Sequence, residues 1–342
     1  MPRKYPWARW PASRLLQMPI SRLGLTLEGT WLEQCLAQLY DELDAKGIRL
    51  RPHVWLSDEW FAPSTAPGFA IPFYLAHPRL MRLERSHIFD VEGGTVTECM
   101  RIMRHEAGHA IQHGYQLNRR RQWQALFGKS STRYPRWYRP NPGSRRYVQH
   151  LRLWYAQAHP DEDFAETFAV WLRPRSDWKR RYVGWPALRK LEYVDQLMAE
   201  IGDARPKVSS RAQVDPVRKI RKTLSQHYDA RRKLYAIEYP NTYDRDLHRL
   251  FGENRPENRS APAASTFLRK NRRKIRRMVA RWTGEYQLTL DHVLEVMIGR
   301  CRALKLRALG SERQLRSDFA VLLTVHTMHS LYSQSRRFWI PL

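Results

Sequence analysis

The segment MRHEAGHA at residues 103–110 constrains the structure more than any other part of this 342-residue chain. It contains the spacing His-Glu-x-x-His, and on a helix two histidines four residues apart lie on the same face. Both imidazoles can then reach one zinc ion, and the intervening glutamate lies beside the open coordination position as a general base. The segment therefore predicts a helix with His105 and His109 as zinc ligands and Glu106 as the base.

A catalytic zinc site needs a third protein ligand, and an acidic run further along the chain supplies a candidate. Glu162 and Glu166 are four residues apart, so they share one face of a helix predicted over 160–172. In that phase Glu162 can bind the metal, while Glu166 accepts a hydrogen bond from the outer nitrogen of a ligand histidine. Acidic residues after Pro160 also suit a helix N-terminus, which would explain Glu162 but not Glu166. Glu162 is preferred over Asp163 as the third ligand, because only Glu162 is followed four residues later by another acidic residue.

The residues around these motifs predict an α+β, predominantly helical fold with a zincin-like metallopeptidase core. Alternating apolar residues predict strands around 21–30, 54–56 and 69–75, the last at a sheet edge because it contains Pro72. Apolar spacing predicts helices from residue 31 to about 46, after Gly94, and over 160–172 and 186–201. Residues 117–147 are rich in Arg, Tyr, Trp and Pro and are expected to be mostly loop, lying over the cleft.

Composition divides the chain into two predicted domains, 1–203 and 204–342. The polar stretch 203–215 is the predicted linker. The net charge is +27, and residues 205–342 carry 30 Lys and Arg against 12 Asp and Glu. A basic amphipathic helix is predicted over 266–282, with a cluster of basic residues from Arg269 to Arg277. Such a helix is typical of proteins that bind an anionic partner, either nucleic acid or a membrane surface. The alternative is a surface helix whose charges are only solvated.

The three cysteines, Cys35, Cys99 and Cys301, are scattered and form no Cys-x-x-Cys pair. A disulfide framework is therefore not expected, and a reducing cytoplasm is the predicted location. No apolar stretch is long enough for a membrane span, and the N-terminus has no continuous apolar core of signal-peptide length.

Three segments resemble the bacterial zinc-binding metallo-peptidase family: PFYLAHPRLMRLE at 72–84, RHEAGH at 104–109 and WYAQAHPDEDFAETFAVWL at 154–172. The resemblance covers about residues 15–200 and implies a zincin fold and a zinc cofactor. A tyrosine seven residues before an E-x-F-A-E run is similar to lethal-factor-type gluzincins. By that likeness Tyr155, Glu162 and Glu166 take the positions of transition-state tyrosine, third ligand and supporting acid. Many relatives begin with a zinc ribbon, for which this chain lacks the cysteines.

These observations together predict a zinc-dependent peptidase of gluzincin type that acts on a protein or peptide substrate. Glu106 would serve as general base, and Tyr155 would donate a hydrogen bond to the oxyanion. The alternative is a non-catalytic binding or regulatory protein on a zincin-like scaffold, acting through its basic C-terminal helices, with nucleic acid as candidate partner. The glutamate of the motif favours the peptidase, because a scaffold that only binds metal has no need of a base.

Overall fold

The computed structural model describes residues 5–135, 138, 140–234 and 243–333. Within them the chain forms mainly α-helices and one small sheet. The helices are α1 (Ala12–Leu16), α2 (Trp31–Ala45), α3 (Pro78–His87), α4 (Val96–Tyr115), α5 (Arg121–Phe127), α6 (Pro160–Leu172), α7 (Trp178–Arg181), α8 (Ala187–Ile201), α9 (Leu224–Leu234), α10 (Asp244–Leu250), α11 (Ala264–Thr283), α12 (Gln287–Ala303) and α13 (Glu312–Ser333).

The sheet consists of two parallel strands, β1 (His53–Ser57) and β2 (Gly68–Pro72), with His53 opposite Gly68. Pro72 is the last residue of β2, where its missing N–H is least costly. The strands predicted at 54–56 and 69–75 are confirmed, although the second gives way to a 3-10 helix at Phe73–Ala76.

The strand expected over 21–30 is wrong, because Ile20–Leu23 form a 3-10 turn that ends at Gly24. Leu23 and Leu25 are buried there and Thr26 is exposed. This alternation of burial resembles that of a strand, although residues 23–26 are not part of the sheet.

Helix α4 carries the His-Glu-x-x-His motif and is buried along most of its length. It begins where the Thr95 hydroxyl accepts a hydrogen bond from the Glu98 N–H at 3.2 Å, as in a capping box. It packs against α6, α2 and β2. A Cβ added at Gly108 would lie 2.9 Å from the Cα of Ala165. The glycine within the motif therefore lets α4 and α6 approach closely beside the two histidines.

Arg104, directly before the motif, ties α4 to α2. Its guanidinium donates to both carboxylate oxygens of Glu42 at 2.6 and 2.7 Å, and both side chains are buried. A buried pair of this kind holds a fixed geometry, since losing either partner leaves an uncompensated charge. The salt bridge therefore anchors α4 one residue before His105.

The start of α6 is held against α4 by polar contacts. Pro160 occupies the first helical turn, and Nδ1 of His159 accepts a hydrogen bond from the Asp161 N–H at 3.1 Å. The Asp161 carboxylate in turn accepts hydrogen bonds from Gln112 on α4 and from Ser130, both at 2.9 Å. These bonds fix the register of the two helices on which the candidate site is built.

The described residues fall into two compact units, one within 5–87 and 91–227, the other within 88–90 and 228–333. The division lies later than the predicted boundary at 203/204. The stretch expected to be a linker bonds to the first unit, since the Val208 N–H donates to Gly114 of α4 and Trp55 of β1 donates to the Val214 carbonyl, at 3.0 and 2.8 Å. That the two parts are separate domains remains a prediction.

The second unit is helical and has its own core, in which α11 packs against α12 and α13. The basic helix predicted over 266–282 is confirmed as α11. Its residues Phe267, Ile275 and Val279 are buried in this core. Trp282, expected in the same apolar stripe, is instead 79% exposed, and the guanidinium of Arg281 lies 5.5 Å from its ring centroid.

The α+β, predominantly helical fold class predicted from the sequence is confirmed. Among the residues that the structure describes, no helix has the length and apolarity that crossing a bilayer requires.

Candidate active site

Three candidate ligand atoms from α4 and α6 converge at one point. Nε2 of His105 and Nε2 of His109 lie 3.1 Å apart, and Oε2 of Glu162 lies 3.0 and 3.2 Å from them. All three side chains are buried. The structure thus brings the three residues that the sequence suggested as ligands into one group that could hold a metal ion.

The spacing of these three atoms fits a zinc ion. Tetrahedral coordination with bonds of ~2.0 Å requires ligand atoms about 3.3 Å apart, and the observed separations are 3.0 to 3.2 Å. Hydrogen bonds alone explain the triangle less well. Each of its three contacts would need its own proton, and the two Nε2 atoms can supply at most two.

Glu166 lies behind His105, on the side away from Glu162. Its Oε1 is 2.9 Å from His105 Nδ1, and its Oε2 accepts a hydrogen bond from the Leu151 N–H at 2.8 Å. Burial alone would lower the pKa of His105, but hydrogen bonds to the two carboxylates raise that pKa to about 10. The surroundings of this imidazole therefore favour positive charge, which a bound metal cation would also supply.

Glu106 has a buried carboxylate oxygen to which the described residues offer no hydrogen-bond partner. Burial raises the pKa of Glu106, and His105 and His109 only partly oppose that rise. A buried oxygen of this kind calls for a polar partner, such as water or substrate. This oxygen and the three converging ligand atoms are what a centre that activates water requires.

Tyr155 lies beside the ligand group, with its ring centroid 5.6 Å from that of His105. Burial raises the pKa of Tyr155 well above its usual value, and the nearby carboxylates of Glu162 and Glu106 raise it further. Its hydroxyl therefore remains protonated and able to donate. Within the described part of the chain, no residue forms a hydrogen bond with this hydroxyl.

The backbone before Tyr155 is strained. Leu153 and Trp154 both have left-handed conformations, with φ of 58° and 53°, at a cost of ~1–3 kcal/mol each. The hydroxyl of Tyr138 donates to the Leu153 carbonyl at 2.8 Å and so helps to hold this turn. The strained turn fixes where Tyr155 enters the site.

A second tyrosine, Tyr134, contacts the ligand group and was not anticipated from the sequence. Its hydroxyl donates to Oε1 of Glu162 at 3.2 Å, and its ring stacks on His159 with centroids 3.6 Å apart. The residue lies in a loop, where side-chain direction follows no period. No spacing rule could have identified it.

The segment 117–147 is less irregular than expected. Leu117–Arg119 form a 3-10 turn, and α5 follows at Arg121–Phe127, with Trp123 and Phe127 buried four residues apart. This first part is helical, because the two aromatic residues form a helical apolar stripe, and the expectation of mostly loop applies to the rest of the segment. From residue 128 onward the described part of the segment contains no helix or strand.

Other acidic and histidine residues near the motifs face elsewhere. Asp163 forms a buried ion pair with Lys190, so its carboxylate is engaged away from the ligand group. His159 caps α6 and its Nε2 lies 2.8 Å from the Thr132 carbonyl. Nδ1 of His77 accepts a hydrogen bond from the Arg79 N–H. Both histidines thus have structural partners.

Comparison with known proteins finds one matching family for the segment that contains the site. Residues 98–181 match the family described as "Putative zinc-binding metallo-peptidase". The matched segment is about a quarter of the chain and contains the ligand group, Glu106, Tyr155 and Glu166. No curated protein and no solved structure matches the chain. The family resemblance inferred from the sequence is confirmed over the matched residues.

Proposed function

We propose that the protein is a zinc-dependent peptidase of gluzincin type, with His105, His109 and Glu162 as the metal ligands. The observation that carries this proposal is the buried triangle of two imidazole nitrogens and one carboxylate oxygen, 3.0 to 3.2 Å on each side. The match of residues 98–181 to a zinc-binding peptidase family supports it. The substrate class is a protein or peptide. Three buried free cysteines support a cytoplasmic location.

When bound, a zinc ion would make a water molecule more acidic and polarise the carbonyl of the scissile bond. Glu106 accepts the proton of the attacking water and passes it to the leaving amine. Its raised pKa favours the first step, because a more basic carboxylate takes up the proton more readily. Glu166 holds the His105 imidazole through Nδ1, which leaves Nε2 available as the metal ligand. Tyr155 donates a hydrogen bond to the oxyanion.

Elemental analysis of the purified protein tests the ligand assignment. The wild-type chain should contain about one zinc, and His105→Ala and His109→Ala should each lose stoichiometric zinc. Asp163→Asn is the matched control, since Asp163 is the acidic neighbour that faces Lys190. Full zinc retention in both histidine variants would exclude the proposed site.

The competing function is a scaffold that binds metal or partners without catalysis. It predicts that Glu106 has no role, whereas the peptidase proposal requires it as a base. The buried Oε2 of Glu106, for which the described residues provide no hydrogen-bond partner, favours the peptidase. A glutamate kept only for packing would be expected to satisfy both its oxygens.

A second proposal concerns nucleic acid and rests on the exposed face of α11. Arg273, Lys274, Arg277 and Arg281 are exposed, and no described carboxylate forms an ion pair with them. Arg272 and Arg276 are different, since Asp291 accepts hydrogen bonds from both, at 2.5 to 2.7 Å.

Phe267 and Ile275 of the same helix are buried, so α11 has no apolar face free to enter a membrane. A basic face of this kind suits a phosphate backbone.

Binding of the full chain to a DNA duplex at two salt concentrations tests this second proposal. Binding should be abolished when glutamate replaces Arg273, Lys274, Arg277 and Arg281. These residues should account for a slope of about 3.6 in the wild-type plot of log K against log salt concentration, at ~0.9 for each of four phosphates. The control reverses four exposed basic residues of the first unit, Arg119, Arg121, Lys129 and Arg175, for the same net charge. Equal loss in both variants, or binding to anionic vesicles alone, would contradict the proposal.

A further inference from the structure

We propose that Tyr134 is a positioning residue, which holds Glu162 so that only one of its two oxygens faces the metal. This inference rests on the proposed zinc site and adds a residue to it. Tyr134 lies outside the motifs from which the site was recognised, and it comes from a different segment of the chain than the ligands.

The two oxygens of Glu162 have different partners. Oε2 faces Nε2 of His105 and of His109 at 3.0 and 3.2 Å, while Oε1 accepts the hydrogen bond of the Tyr134 hydroxyl at 3.2 Å. A carboxylate can bind zinc through one oxygen or two. With Oε1 engaged by a donor, Glu162 offers one oxygen, and a bound zinc ion would keep a coordination position for water or substrate.

Tyr134 is itself held in place by the start of α6. Its ring lies nearly parallel to that of His159, with an interplanar angle of 14° and centroids 3.6 Å apart. His159 is fixed in turn, because Nδ1 accepts from the Asp161 N–H and Nε2 donates to the Thr132 carbonyl at 2.8 Å. The hydroxyl of Ser130 also donates to Asp161 at 2.9 Å. The segment from Ser130 to Tyr134 is therefore attached to α6 at three points.

Tyr134 and Tyr155 have separate tasks in this arrangement. The hydroxyl of Tyr134 already has an acceptor in a ligand carboxylate, whereas the described residues provide no acceptor for the hydroxyl of Tyr155. A donor already bonded to Glu162 serves the ligand, and a donor without an acceptor is available to substrate.

The alternative is that Tyr134 is only a partly exposed loop residue, since 39% of it is accessible to solvent. Stacking on His159 would then be its whole contribution, and the hydroxyl would be dispensable. Tyr134→Phe separates the two cases, because it keeps the ring that stacks and removes only the hydroxyl that reaches Glu162.

The test is the zinc dissociation constant, measured by competition with a chromophoric chelator. Loss of a hydrogen bond to a metal ligand typically weakens metal binding 10–100-fold, so Tyr134→Phe should raise the dissociation constant by about tenfold or more. Tyr155→Phe is the matched control and should leave it unchanged. The circular dichroism spectrum of the metal-depleted Tyr134→Phe protein should match that of the metal-depleted wild type.

A second readout is the visible spectrum of the cobalt-substituted protein. If Glu162 binds through both oxygens once Tyr134 no longer holds it, the coordination number rises, and absorption by the cobalt ion weakens in Tyr134→Phe. Equal zinc dissociation constants for Tyr134→Phe and wild type would overturn the inference and leave the zinc site intact. Absence of stoichiometric zinc from the wild type would overturn the proposed function, and this inference with it.

Discussion

At the scale of single residues, the site depends on which atom of each side chain faces which partner. Glu162 and Glu166 each direct two oxygens at different groups, and His105 has a carboxylate at each nitrogen. Such an arrangement leaves the His105 imidazole and the two carboxylates one orientation in which all these contacts form together. The ligand geometry is therefore set before a metal or substrate arrives.

Tyr155→Phe tests the role proposed for the Tyr155 hydroxyl. The variant loses one donor with little change in volume, so zinc content should be unchanged. We expect kcat to fall about 10²–10³-fold with KM nearly constant, because the lost hydrogen bond forms only in the transition state. Zinc analysis and steady-state kinetics on a peptide substrate provide the measurement. An effect confined to KM would show that Tyr155 only positions substrate.

Residue types and spacing were sufficient to suggest His105, His109 and Glu162 as neighbours. Their helices have a fixed period, so residues four apart share a face. Tyr134 could not be anticipated in this way, because it reaches Glu162 from an irregular loop. The strained turn at Leu153 and Trp154 was equally hidden, since neither residue type favours a left-handed conformation.

At the scale of secondary-structure elements, the close approach of α4 and α6 positions the site. The contact at Gly108 allows it, since any side chain there would press on the backbone of Ala165. The predicted helices agree with α2, α4, α6 and α8 to within a few residues, because their apolar spacing and caps are local. The strand expected over 21–30 is wrong, because the burial of Leu23 and Leu25 alternates without any strand pairing. The linker over 203–215 and the domain boundary it marks remain predictions.

Gly108→Ala tests this helix contact. The added Cβ would lie 2.9 Å from the Cα of Ala165, and we expect the free energy of unfolding to fall by about 1–3 kcal/mol through overpacking. Gly299→Ala is the control, because Gly299 is in α12, exposed, with no atom within 4 Å of the added Cβ. That change should stabilise its helix by up to about 1 kcal/mol. Urea denaturation measures both, and a neutral or stabilising Gly108→Ala would contradict the account.

At the scale of the whole molecule, the candidate site and the basic helix belong to different units of the chain. The proposed zinc ligands lie within 91–227, and the basic helix α11 lies within 228–333, in a unit with its own apolar core. We propose that these units are separate domains, each with its own unfolding transition. The stretch 204–227 then belongs to the first domain, through its backbone bonds to α4 and β1.

Removal of metal tests this division. A ligand that binds the folded state stabilises only the domain that holds it. Calorimetry of the zinc-loaded protein should show two transitions, and a chelator should lower the midpoint of one by several degrees while the other stays in place. A single transition that moves as a whole would show that the chain unfolds as one cooperative unit.

The central claim is that a glutamate base and a zinc ion together hydrolyse peptide bonds at this site. The most direct test is the rate of peptide-library cleavage by the zinc-loaded protein and by Glu106→Gln at equal zinc content. The account predicts that the wild type cleaves, and that Glu106→Gln retains zinc but is slower by about 10²–10⁴-fold. Equal cleavage rates in the two proteins, with equal zinc, would contradict it.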